Sequence, residues 1–396
     1  MPSFAAVAAV ARAWFDCTPP AVMSVSAPSA CARAATNASL RTLFPPNPNA
    51  MASSRFTRRR GPPPATMAAA SRRIGSTGVG CGASGSDGTR ASASRRLAGV
   101  TGAHCIVERN SVNQDLLTAL RSGSSVFGAE LRPPRAELAA GEGMDAWIDT
   151  YHAVRRLTRQ GTFVFLTDSA VGAEEEDNLR HLIINLGTDV PRERIVPFLT
   201  SKHSIEYCLS YAERAYQNGF PALVILGGDK QVGTPRCVEH AWQLRQRLRT
   251  SDHTLALGGW ANPHGDPERQ VDYLASPDFH AEFFLTQVVS HHNMDPVARF
   301  IGIAERRRLD LPAVFGVFYY RSANARTLNA LKSFLPVPAE ALTREFDAGA
   351  SAEDVCARTI RAMMDVGARH FYISNLPIGR AQAVLASILE RVGVTT

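Results

Sequence analysis

Two carboxylates and an amide are the side chains of this sequence best placed to do chemistry. Glu130 follows the apolar run Ser125–Ala129. Asp229 follows Pro221-Ala-Leu-Val-Ile-Leu226 through Gly227-Gly228, and Gln287 closes the run Ala281–Thr286. An amide at the end of an apolar run needs hydrogen-bond partners, and a ligand can supply them. Thr167 with Asp168, Trp260, His264, Tyr319-Tyr320-Arg321 and Asn375 also lie just past apolar runs. Carboxylates and an amide can read the edge of a planar polar heterocycle while aromatic rings stack on its face. The two glycines before Asp229 let the backbone come close to such a ligand. No nucleophile accompanies the set: there is no Gly-x-Ser-x-Gly and no cysteine at a strand end.

Each residue also has a plainer reading. Leu226-Gly-Gly-Asp229 is equally a strand-to-helix turn with Asp229 as a helix cap. Glu130 stands before a Pro-Pro turn, as a surface residue would. Trp260 could cover a core edge. His264 lies in the turn sequence Asn262-Pro-His-Gly-Asp-Pro267. His291-His292 reads as a polar loop, and no third ligand follows at zinc spacing, so no metal site is expected.

These residues can act together only if one fold gathers the strand ends. Expected strands are Ser125–Ala129, Thr162–Leu166, Arg194–Phe198, Ala222–Leu226, Thr254–Gly258, Ala281–Thr286, Ala313–Phe318 and His370–Ser374. Helical patterns alternate with them: Met144–Thr158, Glu174–Leu186, Ser204–Asn218, Thr234–Arg249, Asp295–Arg308, Asn324–Phe334, Ala352–Asp365 and Arg380–Glu390, with a short Pro267–Ser276. Ser204 reads as an N-cap, and Asn218-Gly219 and Val366-Gly367 as C-caps. Eight strand–helix units predict an α/β (β/α)8 TIM barrel, whose site lies at the C-terminal strand ends. A doubly wound open sheet is the alternative, weakened because no GxGxxG follows a strand.

The barrel accounts for residues 105–396. Residues 1–104 are rich in Ala, Arg, Ser, Pro and Gly with no sustained period, which predicts a disordered extension. Residues 1–100 carry twelve arginines, no lysine and two acids, Asp16 and Asp87, so the chain's net charge of +7 arises there. The remainder is net negative, which gives no reason to expect nucleic-acid binding by the barrel. The extension reads either as translation from a start upstream of the true one, the favoured reading, or as an organelle transit peptide. The first places the protein in the cytoplasm. Seven scattered cysteines without a CxxC pair fit a reducing compartment. No apolar run reaches about 18 residues, so no membrane span is expected. Oligomeric state is left open, with a homo-oligomer compatible.

Five of these stretches resemble, in order and spacing, the methylenetetrahydrofolate reductase family. Gly128-Ala-Glu-Leu-Arg-Pro-Pro134 resembles the family's first-strand signature. Leu226-Gly-Gly-Asp229 is similar to its Leu-Arg-Gly-Asp and Leu285-Thr-Gln287 to its Ile-Thr-Gln. Trp260 and His264 stand where it has an aromatic and a histidine four residues later. His370-Phe-Tyr-Ile-Ser-Asn375 resembles its His-Phe-Tyr-x-x-Asn. The resemblance spans about residues 124–392. It implies reduction of 5,10-methylenetetrahydrofolate to 5-methyltetrahydrofolate by NADH or NADPH through bound FAD, in one-carbon and methionine metabolism. Glu130 would be the general acid at N10 of the folate. Asp229 would sit beside flavin and pterin, Gln287 and Asn375 would contact the folate, and Thr167, Leu226, Gly227, Gly228, Asp229, Trp260 and His264 would line the flavin.

The chain also departs from the family pattern. Phe198 stands where the family has a histidine. Ala275 and Ser276 stand where a basic pair reaches the flavin phosphates, and Ala323 falls near the family's stacking aromatic. Arg269 or Arg321 would have to substitute in the clamp. Two alternatives follow: a folate oxidoreductase that binds flavin weakly or not at all, and a non-catalytic folate-binding relative.

Overall fold

The computed structural model describes residues 115–134, 138, 140–168, 186–187, 189–230, 233–251, 254–332 and 335–394. The N-terminal extension and most of the expected helix Glu174–Leu186 lie outside them. Eight parallel strands close into a barrel in sequence order. They are β1 Phe127–Leu131, β2 Phe163–Leu166, β3 Ile195–Thr200, β4 Ala222–Leu226, β5 Ala256–Ala261, β6 Phe283–Val289, β7 Ala313–Phe318 and β8 His370–Ser374. β1 pairs with both β2 and β8, which closes the ring.

The described helices are α1 Leu116–Arg121, α2 Ala140–Arg159, α3 Ile205–Gln217, α4 Ala241–Leu248, α5 Pro267–Ala275, α6 Asp295–Arg306, α7 Ala325–Lys332, α8 Ala339–Asp347, α9 Ala352–Asp365 and α10 Ala381–Val392. The expected caps are present. Ser204 Oγ accepts from Tyr207 N, and α3 and α9 end at Asn218 and Val366, each followed by a glycine at positive φ. α4 is shorter than the expected Thr234–Arg249. Thr234 Oγ1 donates to the Lys202 carbonyl at 2.8 Å and Arg236 donates to the Gly228 carbonyl, so the segment before α4 is held in bends. Two helices, α1 and α8, were not expected. α1 is capped by Asp115, whose carboxylate accepts from Thr118 N at 2.8 Å. Its Leu116, Ala119 and Leu120 join the barrel's inner cluster.

Alternation along each strand sends one set of side chains inward and one toward the helices. The inner set includes Phe163, Phe165, Val196, Phe198, Val224, Trp260, Phe283, Leu285 and Tyr372. So many rings fit because glycines face them. A Cβ on Gly128 would lie 2.6 Å from Phe165, one on Gly258 2.7 Å from Phe283, and one on Gly316 closer still to Tyr372. Real Cβ atoms do not come so close, and Val224 at 3.0 Å from the Gly258 position blocks a second direction. Gly258→Ala should therefore destabilise the barrel by about 1–3 kcal/mol through overpacking. A denaturation midpoint unchanged from wild type would show that the interior has slack.

Candidate functional site

Four strands run further than their apolar content indicates. β1 continues through Glu130, β3 through Thr200, β5 through Ala261 and β6 through Val289. Glu130, Trp260 and Gln287 are thus strand residues, not loop residues, and their backbones are fixed by the sheet. Asp229 lies just beyond β4 and His264 in the loop after β5. The helix-cap reading of Asp229 fails, because the next described helix starts at Ala241 with His240 as its N-cap.

The β1–β8 seam holds the main proton-transfer candidate. Glu130 is 6% exposed, and Ser374 Oγ donates to its Oε1 at 2.9 Å. Its Oε2 is buried with no hydrogen-bond partner among the described residues. Burial pushes the carboxyl pKa up to about 7, against smaller opposing effects of the Ser374 hydrogen bond and the Arg132 charge. At neutral pH the group is therefore protonated to an extent an ordinary carboxyl is not, as a general acid requires.

Across the barrel, β6 is distorted where it carries Gln287. The β6–β7 register shifts between Leu285 and Val288, and such an irregularity re-aims side chains beside functional sites. Thr286 spans the shift. Its Oγ1 donates to the Gln287 carbonyl at 2.9 Å and accepts from Gly316 N at 3.1 Å, while Tyr372 Oη donates to its carbonyl at 2.7 Å. Gln287 is 1% exposed, and its Oε1 accepts from Val288 N at 2.8 Å. Its Nε2 has no partner among the described residues. His264 Nε2 donates to the Val288 carbonyl at 3.1 Å, which leaves Nδ1 as a bare acceptor, also buried and unpartnered among the described residues. Burial lowers the His264 pKa, with the Val288 carbonyl opposing, so the ring is neutral at pH 7.

The β3–β4 side is charged. Asp229 and Lys202 are both buried, and the Asp229 charge acts on the Lys202 ammonium. Burial lowers the Lys202 pKa, Asp229 opposes this, and Arg236 adds to it. Ser201 Oγ donates to the Gly227 carbonyl at 2.7 Å. The Arg236 guanidinium fills the volume beside Gly227, 2.8 Å from where a Cβ would stand. Arg236 thus brings a guanidinium beside the Gly227-Gly228 turn. On the β2–β3 side, Asp168 Oδ2 accepts from Thr200 N at 2.7 Å, Thr200 Oγ1 at 2.9 Å and His203 Nε2 at 2.9 Å. Burial works to lower the His203 pKa, but the Asp168 hydrogen bond and charge outweigh it and the pKa is raised.

The remaining expected residues sit as follows. Thr167 is 3% exposed, and its N–H donates to the Leu131 carbonyl at 3.1 Å. Leu226 packs into the inner cluster, and Trp260 does the same at 1% exposure, so its packing accounts for it before any ring stacking. Asn375 Nδ2 donates to the Tyr319 carbonyl at 3.0 Å, and Arg321 donates to the Asn375 carbonyl, so both tie the ends of β7 and β8 together. Tyr319 Oη donates to Glu353, and Tyr320 packs on Phe318 in a separate cluster. Sequence reasoning missed Ser374, Lys202 and His203. The polar run Thr200-Ser-Lys-His203 directly after an apolar strand was the available signal for the last two.

No protein-family model and no curated protein matches the chain. Among solved structures it is similar to an uncharacterized protein from Clostridium thermocellum described as binding two copies of 5-methyl-5,6,7,8-tetrahydrofolic acid. The identity is 12% and the TM-score 0.51, over 68% of this chain and 96% of that one. It is also similar to dihydropteroate synthase from Thermus thermophilus in complex with 6HMPPP, at 15% identity and TM-score 0.37, over 67% of this chain and 93% of that one. At these identities the likeness is one of fold.

Proposed function

We propose that the barrel binds a reduced folate at the C-terminal ends of its strands and acts on it as an oxidoreductase. In this reading it reduces 5,10-methylenetetrahydrofolate with NAD(P)H as the ultimate donor. The observation that carries the reading is Glu130, a buried carboxyl with a pKa of about 7 and an Oε2 without a partner among the described residues. It would donate a proton to a folate nitrogen as the one-carbon bridge opens. Gln287 Nε2 would donate to the pterin or its carbonyl edge, and His264 Nδ1 would accept from a ring N–H. Gln287 Nε2 and His264 Nδ1, a donor and an acceptor without partners among the described residues, are what a pterin edge would satisfy. The folate named for the Clostridium thermocellum protein supports this choice of ligand.

Asp229 would place negative charge near the cation that forms as the bridge opens. Lys202 and Arg236 offset part of that charge, so its contribution is smaller than that of an isolated carboxylate.

The fit to a flavin is divided. Thr167, Leu226, Gly227, Gly228, Asp229, Trp260 and His264 would line the ring, and a bound flavin would supply hydride transfer. The diphosphate end does not fit. Ala275 and Ser276 replace the basic pair, Ser276 Oγ is engaged with Asp278 N, and Phe198 packs inside the barrel 6.3 Å from Phe165. Arg321 is engaged with Asn375, and Arg269 lies on the exposed side of α5. This favours a loosely held flavin or none as a second reading.

Calorimetric titration with 5-methyltetrahydrofolate tests the binding step. The full chain should bind, and Gln287→Leu should weaken binding about tenfold, the worth of one buried hydrogen bond. Absence of heat in the wild type would remove the folate reading.

A further inference from the structure

Directly after β6, a 3-10 turn over His291–Asn293 carries two histidines against α8 and α9. The sequence shows no third ligand near them, but α8 supplies one. His291, His292 and Glu345 each offer a ligand atom, and those atoms all lie within 4.8 Å of one another. We propose that this cluster is a binding site for a first-row divalent metal ion of the zinc class, held by His291 Nε2, His292 Nε2 and Glu345 Oε2.

The surrounding hydrogen bonds prepare these atoms for a metal. His291 Nδ1 is 2.8 Å from Thr359 Oγ1 on α9, which fixes the ring and leaves Nε2 directed at Glu345, 3.0 Å from its Oε1. Metal-bound histidines are oriented in this way by a partner on their other nitrogen. Arg358 Nη1 donates to Glu345 Oε1 at 2.8 Å, so one carboxylate oxygen is anchored. The other, Oε2, is buried, carries no hydrogen bond among the described residues, and lies 3.7 Å from His292 Nε2, which is buried and unbonded in the same way.

Two histidines and a carboxylate make a three-ligand set with the fourth tetrahedral position open. A cavity of about 380 Å³ lined by His292, Arg344, Glu345 and Arg358 adjoins it, with room for a water or a small anion there. The two arginines make the site more positive, which limits its cation affinity and favours an anionic fourth ligand.

Cobalt(II) titration of the full chain, followed by visible absorbance, tests the site without any variant. One equivalent should give a tetrahedral d–d spectrum without a thiolate charge-transfer band, which separates this site from the cysteines. Zinc should displace the cobalt. His292→Ala and Glu345→Gln should abolish the band, Thr359→Val should weaken binding about 10–100-fold, and exposed His152→Ala should leave it unchanged. A wild-type protein that gives no such band, or a band that persists in both ligand variants, would overturn the proposal. Far-UV circular dichroism of each variant separates loss of the ligand from loss of the fold.

Discussion

Glu130→Gln is expected to lower folate turnover by about 10²–10⁴-fold, the usual worth of a positioned general acid. The amide keeps the volume and can still accept from Ser374, so the barrel should stay folded. In the proposed mechanism the acid form is the active one, so wild-type activity in the proton-transfer step should fall as pH rises through about 7. The residual activity of the variant should lack that limb. The substitution should act on stability in the opposite sense to its effect on turnover. The carboxyl titrates at about 7 when folded against a reference of 4.5. Below about pH 4.5 it is protonated in both states and costs nothing. As pH rises to 7 the unfolded chain loses the proton first, so stability falls, and above 7 the penalty is constant at about 3 kcal/mol. Glu130→Gln removes it and should be more stable than wild type at about pH 8 but not at about pH 4. Steady-state assays with NADH and the folate, with and without added flavin, and urea melts at the two pH values measure both effects. Full turnover in the variant would sink the assignment of Glu130 as the acid.

Arg245→Ala is expected to destabilise the protein by about 3–5 kcal/mol, with no catalytic role involved. Arg245 points from α4 into the helix–sheet layer and has no exposed surface. Its Nε donates to the Phe279 carbonyl at 2.8 Å, Nη1 to the Ile225 carbonyl at 3.3 Å and Nη2 to Tyr273 Oη at 3.1 Å. The guanidinium also lies 4.6 Å from the centre of the Phe279 ring. Truncation removes a charged donor from two buried carbonyls and the half-buried Tyr273 hydroxyl, and opens a void beneath an aromatic ring. Arg245→Lys should recover little, since one ammonium cannot reach three acceptors in a planar fork. Chemical denaturation measures the loss; a change below about 1 kcal/mol would mean that water replaces the side chain.

The strands β4, β7 and β8 were legible to the residue, because Pro221, Pro312 and the Gly227 and Asn375 turns bound them. β1, β3, β5 and β6 were read short at their C-terminal ends. Polar residues there, such as Glu130 and Thr200, continue the ladder, since backbone pairing does not depend on side-chain polarity, and Gln287 lies in the register shift within the extended β6. These are also the residues of the candidate site, so the same rule that shortened the strands singled out the site. Lys202 and His203 were hidden because β3 was ended at Phe198. Glu345 was hidden because α8 buries only Leu342 and gives little apolar signal. Its position beside His291 comes from packing across 54 residues of chain, which no local spacing encodes. The final-strand His-Phe-Tyr-x-x-Asn stretch divides by role. His370, at the strand's start, accepts from Val126 N at 3.2 Å, while Ser374, at its end, holds Glu130.

The three glycine–ring pairs inside the barrel also constrain how this sequence can drift. Gly128 with Phe165, Gly258 with Phe283 and Gly316 with Tyr372 each share one volume. A side chain gained at the glycine must coincide with a smaller residue at its partner, and a ring lost alone opens a cavity. Each pair is thus epistatic, with both single steps passing through a less stable intermediate. Gly316–Tyr372 is the most tightly bound of the three, because Tyr372 also holds Thr286 beside Gln287. Substitution there is coupled to the site, while the other two pairs can be exchanged as units and the mouth left as it is.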